Sequence, residues 1–388
     1  MPSTSQDARL DAAVGEVFSS RAAASILVGV VLLLTALGIL ALFSIGIGQR
    51  NPLFFPTRQM IFAAVGITAA FFAAKLPLSF WRWMFPWIYL GTVALLILAR
   101  AIGPLINGAR RWLAFGPVSF QPSELAKLTA VIWIALWMSQ HRRKAGSFWH
   151  GFVYPLLGLG VLCLLVLLGP DYGTTILIGG GGVLLMYLGG TPLFLALLPV
   201  IGGGALLGFL VWHDPVRINR VTSFLAPEKF ADNESFQLMN SLHAFMEGGA
   251  TGVGIGQSLQ KFSYLPEAHT DFIMSIIAEE TGFVGSTLIL LLFMLFFVCG
   301  MNIAANCRDG FGRLLAYGIT LMITLQALIN LAVVTGSAPT KGLPLPFISH
   351  GGSSLVFTLA MVGILVRVAL GVDEEKPATP VRDRRHWF

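Results

Sequence analysis

The sequence predicts an all-α polytopic membrane protein of about ten transmembrane helices, with a long, partly helical extracytoplasmic loop between helices 7 and 8. Three observations predict it. Of 388 residues, 55% are apolar and only 11% are charged, where a soluble domain carries roughly 25% charged residues. Ten apolar runs have 17 or more residues, close to the ~20 that cross a hydrocarbon core of about 30 Å. A polar stretch of nearly sixty residues separates the seventh run from the eighth. This composition excludes a soluble enzyme, a disordered chain and a nucleic-acid-binding domain. The formal charge of +6 is read as Lys and Arg at cytoplasmic membrane edges. Cys163, Cys299 and Cys307 have neither metal-site spacing nor the pattern of a disulfide framework.

In chain order, residues 1–23 are polar and mixed in charge, and are expected to form a cytoplasmic tail rather than a cleaved leader, because run 24–46 is long enough to span. Runs 59–76, 85–103, 123–140 and 149–168 follow. Run 174–190 contains four consecutive glycines, Gly179 to Gly182, which weaken it as a helix and invite close approach by a neighbour. Run 193–212 completes the first seven. The outer loop 213–271 contains an amphipathic stretch from Ser235 to Met246. There Leu238, Leu242 and Phe245 repeat at helical spacing, and Gly248-Gly249 marks the stop. Run 272–304 is too long for one vertical helix, so its lipid-facing part is expected to begin near Phe283. Runs 313–335 and 353–371 close the membrane domain, 24–371, before a short tail, 372–388. Ten spans put both ends on one side. With the long outer loop set aside, Lys and Arg number 14 on the inner side against 6 on the outer, which places both termini in the cytoplasm. Loops 104–122, 213–271 and 336–352 then face outward, and any chemistry is expected at the outer leaflet.

Ionisable residues in apolar surroundings mark functional candidates, because an unpaired charge there is costly. Glu124 and Lys127 stand at i, i+3 near the outer end of the fourth run and can pair, either to fix helix packing or to line a cavity. Asp171 lies in the turn Gly169-Pro170-Asp171-Tyr172-Gly173, where a turn former needs no further role. Asp271 stands where the long outer loop meets an apolar helix. Thr270 is expected as the N-cap and Asp271 in the first turn, where it can complement the helix dipole or act as a base at the mouth of a membrane cavity. Glu279 and Glu280 lie about two turns further on, and helix packing is the favoured role for them. His269 reads as a structural hydrogen-bonding group or a proton shuttle. The Gly252-Gly254-Gly256 alternation lacks the strand and helix of a nucleotide loop. Loop 336–352 carries Pro339, Pro344 and Pro346, Lys341, Ser349 and the following Ser353. It suits either an anion-binding loop or a re-entrant connector.

Four stretches give the sequence a resemblance to the SEDS family (shape, elongation, division and sporulation), membrane glycosyltransferases of peptidoglycan synthesis. They are Gly108-Ala-Arg-Arg-Trp112 with Gln121-Pro-Ser-Glu-Leu-Ala-Lys127; Pro170-Asp-Tyr-Gly-Thr-Thr175; Tyr264-Leu-Pro-Glu-Ala-His-Thr-Asp-Phe272 with Ala278-Glu-Glu280; and Pro339-Thr-Lys-Gly-Leu-Pro-Leu-Pro-Phe-Ile-Ser349 with Gly351-Gly-Ser-Ser354. The Pro339-Thr340-Lys341-Gly342 wording is closer to the division-type branch than to the elongation-type branch. The resemblance implies lipid II as substrate, a disaccharide-pentapeptide on undecaprenyl pyrophosphate. It implies Asp271 as the catalytic carboxylate, Trp112 as a functional outer-loop residue and Glu124–Lys127 as an intramembrane ion pair. A class B penicillin-binding protein is the implied partner, along with other division proteins and membrane lipid.

Lipid II chemistry would suit a single carboxylate. Its leaving group is a diphosphate, already a stable anion, so the acid that most glycosidases need is dispensable. What remains is a base for the acceptor hydroxyl and a cation for the departing diphosphate. The candidate cations are Lys341, Arg110, Arg111, Arg220 and Lys261, and a divalent ion (Mg or Mn) on Asp271 is an alternative. His269, Ser349, Ser353 and Trp112 complete the candidate substrate-binding set. Two rival readings stand beside this one: a lipid II flippase or other transporter, and a non-catalytic scaffold that activates a transpeptidase. The two halves of the chain show no clear repeat, which disfavours common transporter designs.

Overall fold

The computed structural model describes residues 19–47, 51–106, 108–116, 118–213, 218–219, 222–224, 235–261, 268–340 and 342–374. Each of the ten apolar runs is a helix. They are α1 (Ser20–Gly46), α2 (Phe54–Lys75), α3 (Leu78–Ile102), α4 (Pro122–Gln140), α5 (Tyr154–Leu168), α6 (Tyr172–Leu188), α7 (Leu193–Trp212), α9 (Ile273–Asn306), α10 (Gly310–Val334) and α11 (Gly352–Glu374). The amphipathic stretch of the long loop is α8 (Phe236–Gly248). Of the ten helices formed by the apolar runs, eight are long and apolar enough to cross a membrane, α5 together with the turn that precedes it. The other two are α4, which carries Glu124 and Lys127, and the short α6. A π-helical turn, Phe148–Val153, leads into α5. Between α3 and α4 lies a hairpin of β1 (Leu113–Phe115) and β2 (Val118–Phe120).

Helices α4, α9, α10 and α11 form the centre, and α7 lies at the periphery with most of its residues exposed and only Leu195 and Ala196 buried. Without a hydrophobic drive between helices in lipid, close packing of small residues holds such a bundle together. The glycine run of α6 serves this end: a Cβ at Gly182 would stand 2.7 Å from the Leu159 side chain on α5. The run stays helical because neighbouring helices fill the space it leaves. Between elements, Arg82 on α3 pairs with Asp309 before α10 at 2.5 Å, and Thr191 donates to the Gly151 carbonyl at 2.6 Å.

Helix α9 is two helices joined at a kink. Gly282 has φ +67°, a left-handed conformation that favours glycine. The kink frees backbone groups that the chain after α8 satisfies. Val253 N and Gly254 N donate to the Glu279 and Glu280 carbonyls, and Phe283 N and Val284 N donate to Gly249 and Ala250. Residues 273–280 are buried, whereas Phe283 is 71% exposed. Lipid-type exposure therefore begins where the sequence placed it.

The connection from α10 to α11 dips into the bundle. Phe347 and Ile348 are buried, Phe347 packs near Phe296 of α9 with ring centroids 5.9 Å apart, and a Cβ at Gly38 in α1 would stand 2.6 Å from Ile348 Cα. The segment is re-entrant, which is tolerated only where protein surrounds the irregular backbone.

Candidate active site

Asp271 sits just before the N-terminus of α9, half-buried, in the turn that leads into the helix. The N-cap position belongs to Phe272, which corrects the expectation of Thr270 as cap and Asp271 in the first helical turn. The cause is a competing set of partners for the backbone. Three consecutive carbonyls are taken by the re-entrant segment and α10. His350 N donates to His269 O at 2.9 Å, Ser349 Oγ donates to Thr270 O at 2.6 Å, and Asn330 Nδ2 donates to Asp271 O at 2.8 Å. Carbonyls turned toward a neighbouring segment cannot begin a helical ladder.

The same neighbours organise the re-entrant segment. Ser349 Oγ also accepts from Leu345 N at 2.8 Å, and Gln59 of α2 donates to Ser349 O at 3.1 Å. On the carboxylate side, a Cβ at Gly342 would stand 3.3 Å from Asp271 Oδ2. Residue 342 thus lies against the acid. Its sequence neighbour Lys341 is outside the described residues, as is Arg220. His269 stacks on Phe55 at 4.4 Å, and His350 meets the same ring edge-on at 5.2 Å. Burial, then His269, then Arg58 push the His350 imidazole down to about 4, so it is neutral at pH 7.

The other candidates fall into three further places. Glu124 and Lys127 form a fully buried pair, Lys127 Nζ lying 2.6 Å from Glu124 Oε2, and Lys127 also donates to Gln326 Oε1 at 2.7 Å. Lys261, a candidate for the diphosphate, is buried and turned inward to Glu280 at 3.5 Å, with Ser44 Oγ and the Gly256 carbonyl also accepting from it. Beside it Glu279 accepts from Leu259 N at 2.7 Å and from Ser258 Oγ. Together these contacts fasten the loop after α8 onto α9. Arg110 is exposed and donates to Ala101 O at 3.1 Å. Arg111 lines a cavity of about 20 Å3 with Asp171 and Ser123. Asp171 is the N-cap of α6, accepting from Thr174 N at 3.1 Å. Trp112 is half-buried at the foot of the hairpin, and Ser353 accepts from Gln121 N at 3.3 Å. An apolar groove of about 500 Å3 runs between α8, α9 and α10 and reaches Met274, three residues beyond Asp271.

Sequence reasoning missed Gln59, Gln326 and Asn330. Each is a buried amide inside a transmembrane helix, and that rarity in an apolar run was a usable signal. Among the described residues no three His, Cys, Asp or Glu side chains converge as a metal cage.

Comparison with known proteins gives this arrangement its context. The profile of the FtsW/RodA/SpoVE cell cycle proteins matches residues 23–373. The chain is 39% identical over 349 residues to a probable peptidoglycan glycosyltransferase FtsW of Coxiella burnetii, covering 87% of this chain and 93% of that one. It is 39% identical over 356 residues to the stage V sporulation protein E of Bacillus subtilis, covering 89% and 96%. Its fold is similar to a chain of a peptidoglycan synthase complex that coordinates polymerization and crosslinking (TM-score 0.75, 29% identity, 89% and 97% covered). It is also similar to the rod shape determining protein RodA of Thermus thermophilus (TM-score 0.67, 27% identity, 90% and 97% covered). With ten apolar helices of this arrangement and a match over nearly its whole length, the chain belongs to the FtsW/RodA/SpoVE family of multi-pass membrane proteins.

Proposed function

We propose that the chain is a peptidoglycan glycosyltransferase that polymerises lipid II at the outer face of the cytoplasmic membrane, with Asp271 as its general base. The observation that carries the reading is the anchoring of Asp271. The chain is tied at the three consecutive carbonyls of His269, Thr270 and Asp271, and Asp271 is half-buried with its Oδ2 beside residue 342. A rigid backbone with a reachable acid is what a positioned base requires. The relatives named as probable peptidoglycan glycosyltransferases support the activity.

Asp271 takes the acceptor hydroxyl proton as that oxygen attacks the anomeric carbon. The bond from this carbon to the diphosphate oxygen breaks, and the diphosphate leaves with the electron pair. A cation offsets the charge that collects there. Lys341, which adjoins Gly342 in the sequence, is one candidate for that cation. Lys261 is engaged with Glu280 instead. Direct attack inverts the sugar, so an α-linked donor gives a β-linked polymer. The apolar groove reaching Met274 gives the outer end of α9 a lipid-facing opening.

The division-type wording of residues 339–342 and the FtsW names of relatives support a role in cell division. A class B penicillin-binding protein is the fitting partner. Support for it comes from the similar chain in a synthase complex that couples polymerization to crosslinking. Both termini are assigned to the cytoplasm by the Lys and Arg bias. The test is polymerisation of purified lipid II in detergent, where no flipping can occur. Wild-type protein is expected to form polymer and Asp271→Asn to form none while remaining folded. Normal polymer from Asp271→Asn would remove the base, and a wild-type protein without activity would favour the transporter or scaffold readings.

A further inference from the structure

Asn330 and Gln326 lie four residues apart on one face of α10, both about 2% exposed. They stand between the two groups of ionisable residues that the sequence singled out. The Asn330 amide donates to two carbonyls at once, Asp271 O and Leu343 O, both at 2.8 Å. One turn deeper, Gln326 accepts from Lys127 Nζ at 2.7 Å and donates to Pro344 O at 2.8 Å. The contacts form a ladder. The Glu124–Lys127 pair holds Gln326, Gln326 holds Pro344, and Asn330 joins the adjoining Leu343 to the backbone of Asp271.

We infer that Asn330 is a positioning residue for Asp271, and that Gln326 transmits the placement of the Glu124–Lys127 pair to the same loop. The inference rests on the reading of Asp271 as the base. It explains why two amides are kept inside an apolar helix, where burying a polar group is unfavourable: both ends of Gln326 and both Asn330 N–H groups are met, although Asn330 Oδ1 is buried with no hydrogen-bond partner among the described residues. A carboxamide suits the place because its two N–H groups diverge and can hold two chain segments at a fixed separation. A hydroxyl has one donor and can hold only one of them. Asn330 does not touch the reacting atoms. Its effect runs through the backbone of residue 271, and a shift of about 1 Å there is enough to cost on the order of a hundredfold in rate.

The experiment measures kcat and KM for lipid II, with melting in detergent, on full-length wild-type, Asn330→Ala, Asn330→Ser, Gln326→Ala and Asp271→Asn proteins. Asn330→Ala is expected to lower kcat by about tenfold to a hundredfold with KM within about twofold. Asn330→Ser, which keeps one donor, should recover part of the loss, and Gln326→Ala should lose less than Asn330→Ala. A wild-type kcat in Asn330→Ala overturns the inference, as does a loss carried by KM alone. If Asn330→Ala does not fold, Asn330→Ser is judged by the same criterion, and failure of both to fold assigns Asn330 a purely architectural role instead. An active Asp271→Asn protein removes the base itself, and that result comes from a different variant than the ones that judge Asn330.

Discussion

Ser349 Oγ donates to the Thr270 carbonyl across 2.6 Å, joining the re-entrant segment to the residue before the proposed base. The same oxygen accepts from Leu345 N. Ser349 was a candidate for substrate binding, yet both capacities of its hydroxyl that the structure displays are used inside the protein. Ser349→Ala leaves a buried carbonyl and a buried N–H without this partner, at about 1–3 kcal/mol. The expected result is a lower melting temperature and roughly tenfold slower polymerisation, with KM for lipid II little changed. A raised KM at unchanged kcat would return Ser349 to the substrate.

The Glu124–Lys127 pair allows a sharper test of stability. Both side chains are buried, so removing one leaves the other charge without compensation, at about 3–5 kcal/mol. Lys127→Met and Glu124→Gln should each lower the melting temperature markedly. The double variant should recover much of it, because no isolated charge remains. Equal losses that simply add would show that the pair does not interact as drawn.

Lys261 separates two roles that the sequence could not. In the structure it is buried among Glu280, Ser44 and Gly256. Lys261→Ala is therefore expected to destabilise the protein and to loosen the 249–261 loop in hydrogen exchange. KM for lipid II in the folded fraction should stay within about twofold, since only ground-state binding would move it. A large rise in KM without loss of stability would put the ammonium in the substrate site after all.

Most of the fold was legible in the sequence. Each apolar run became a helix, although α3 begins at Leu78, seven residues before its expected start, and α2 at Phe54, five before; α8 and the start of exposure at Phe283 followed from periodicity and length. Hydropathy reads these features because the bilayer demands internal hydrogen bonding and an apolar surface. The site was legible only in part. Asp271 and the Glu124–Lys127 pair announced themselves as charges in apolar surroundings. Gln326 and Asn330 did not, because an uncharged amide barely perturbs hydropathy and its worth depends on carbonyls distant in sequence. The cap at Phe272 was also hidden. Local pattern favoured Thr270, and only the tertiary partners of residues 269–271 moved the helix start.

The kink at Gly282 gives a backbone prediction. The residue has φ +67°, and a Cβ there would stand 2.4 Å from Gly252 N. Gly282→Ala therefore meets both an unfavourable conformation, about 1–3 kcal/mol, and a clash with backbone that cannot swing aside. The loop after α8 should separate from α9, seen as faster hydrogen exchange at Val253 and Gly254. Unchanged protection there would mean that the two segments do not share the hydrogen bonds that link them in the structure.

His350 gives the bundle a dependence on pH that can be measured apart from activity. Burial foremost, then His269 and Arg58, hold its folded value at about 4, below the ~6.5 of an unfolded histidine. Between these values the unfolded chain binds the proton and the folded one does not, so stability rises with pH across that window. The contribution is complete above about pH 6.5 and is lost as pH falls toward 4, amounting to at most about 3 kcal/mol. Melting temperature should therefore drop between pH 6.5 and 4, and His350→Gln should flatten that part of the curve. The melting curve reads this dependence apart from activity and is the decisive measurement. An unaltered slope in His350→Gln would assign the acid sensitivity to carboxylates elsewhere in the bundle.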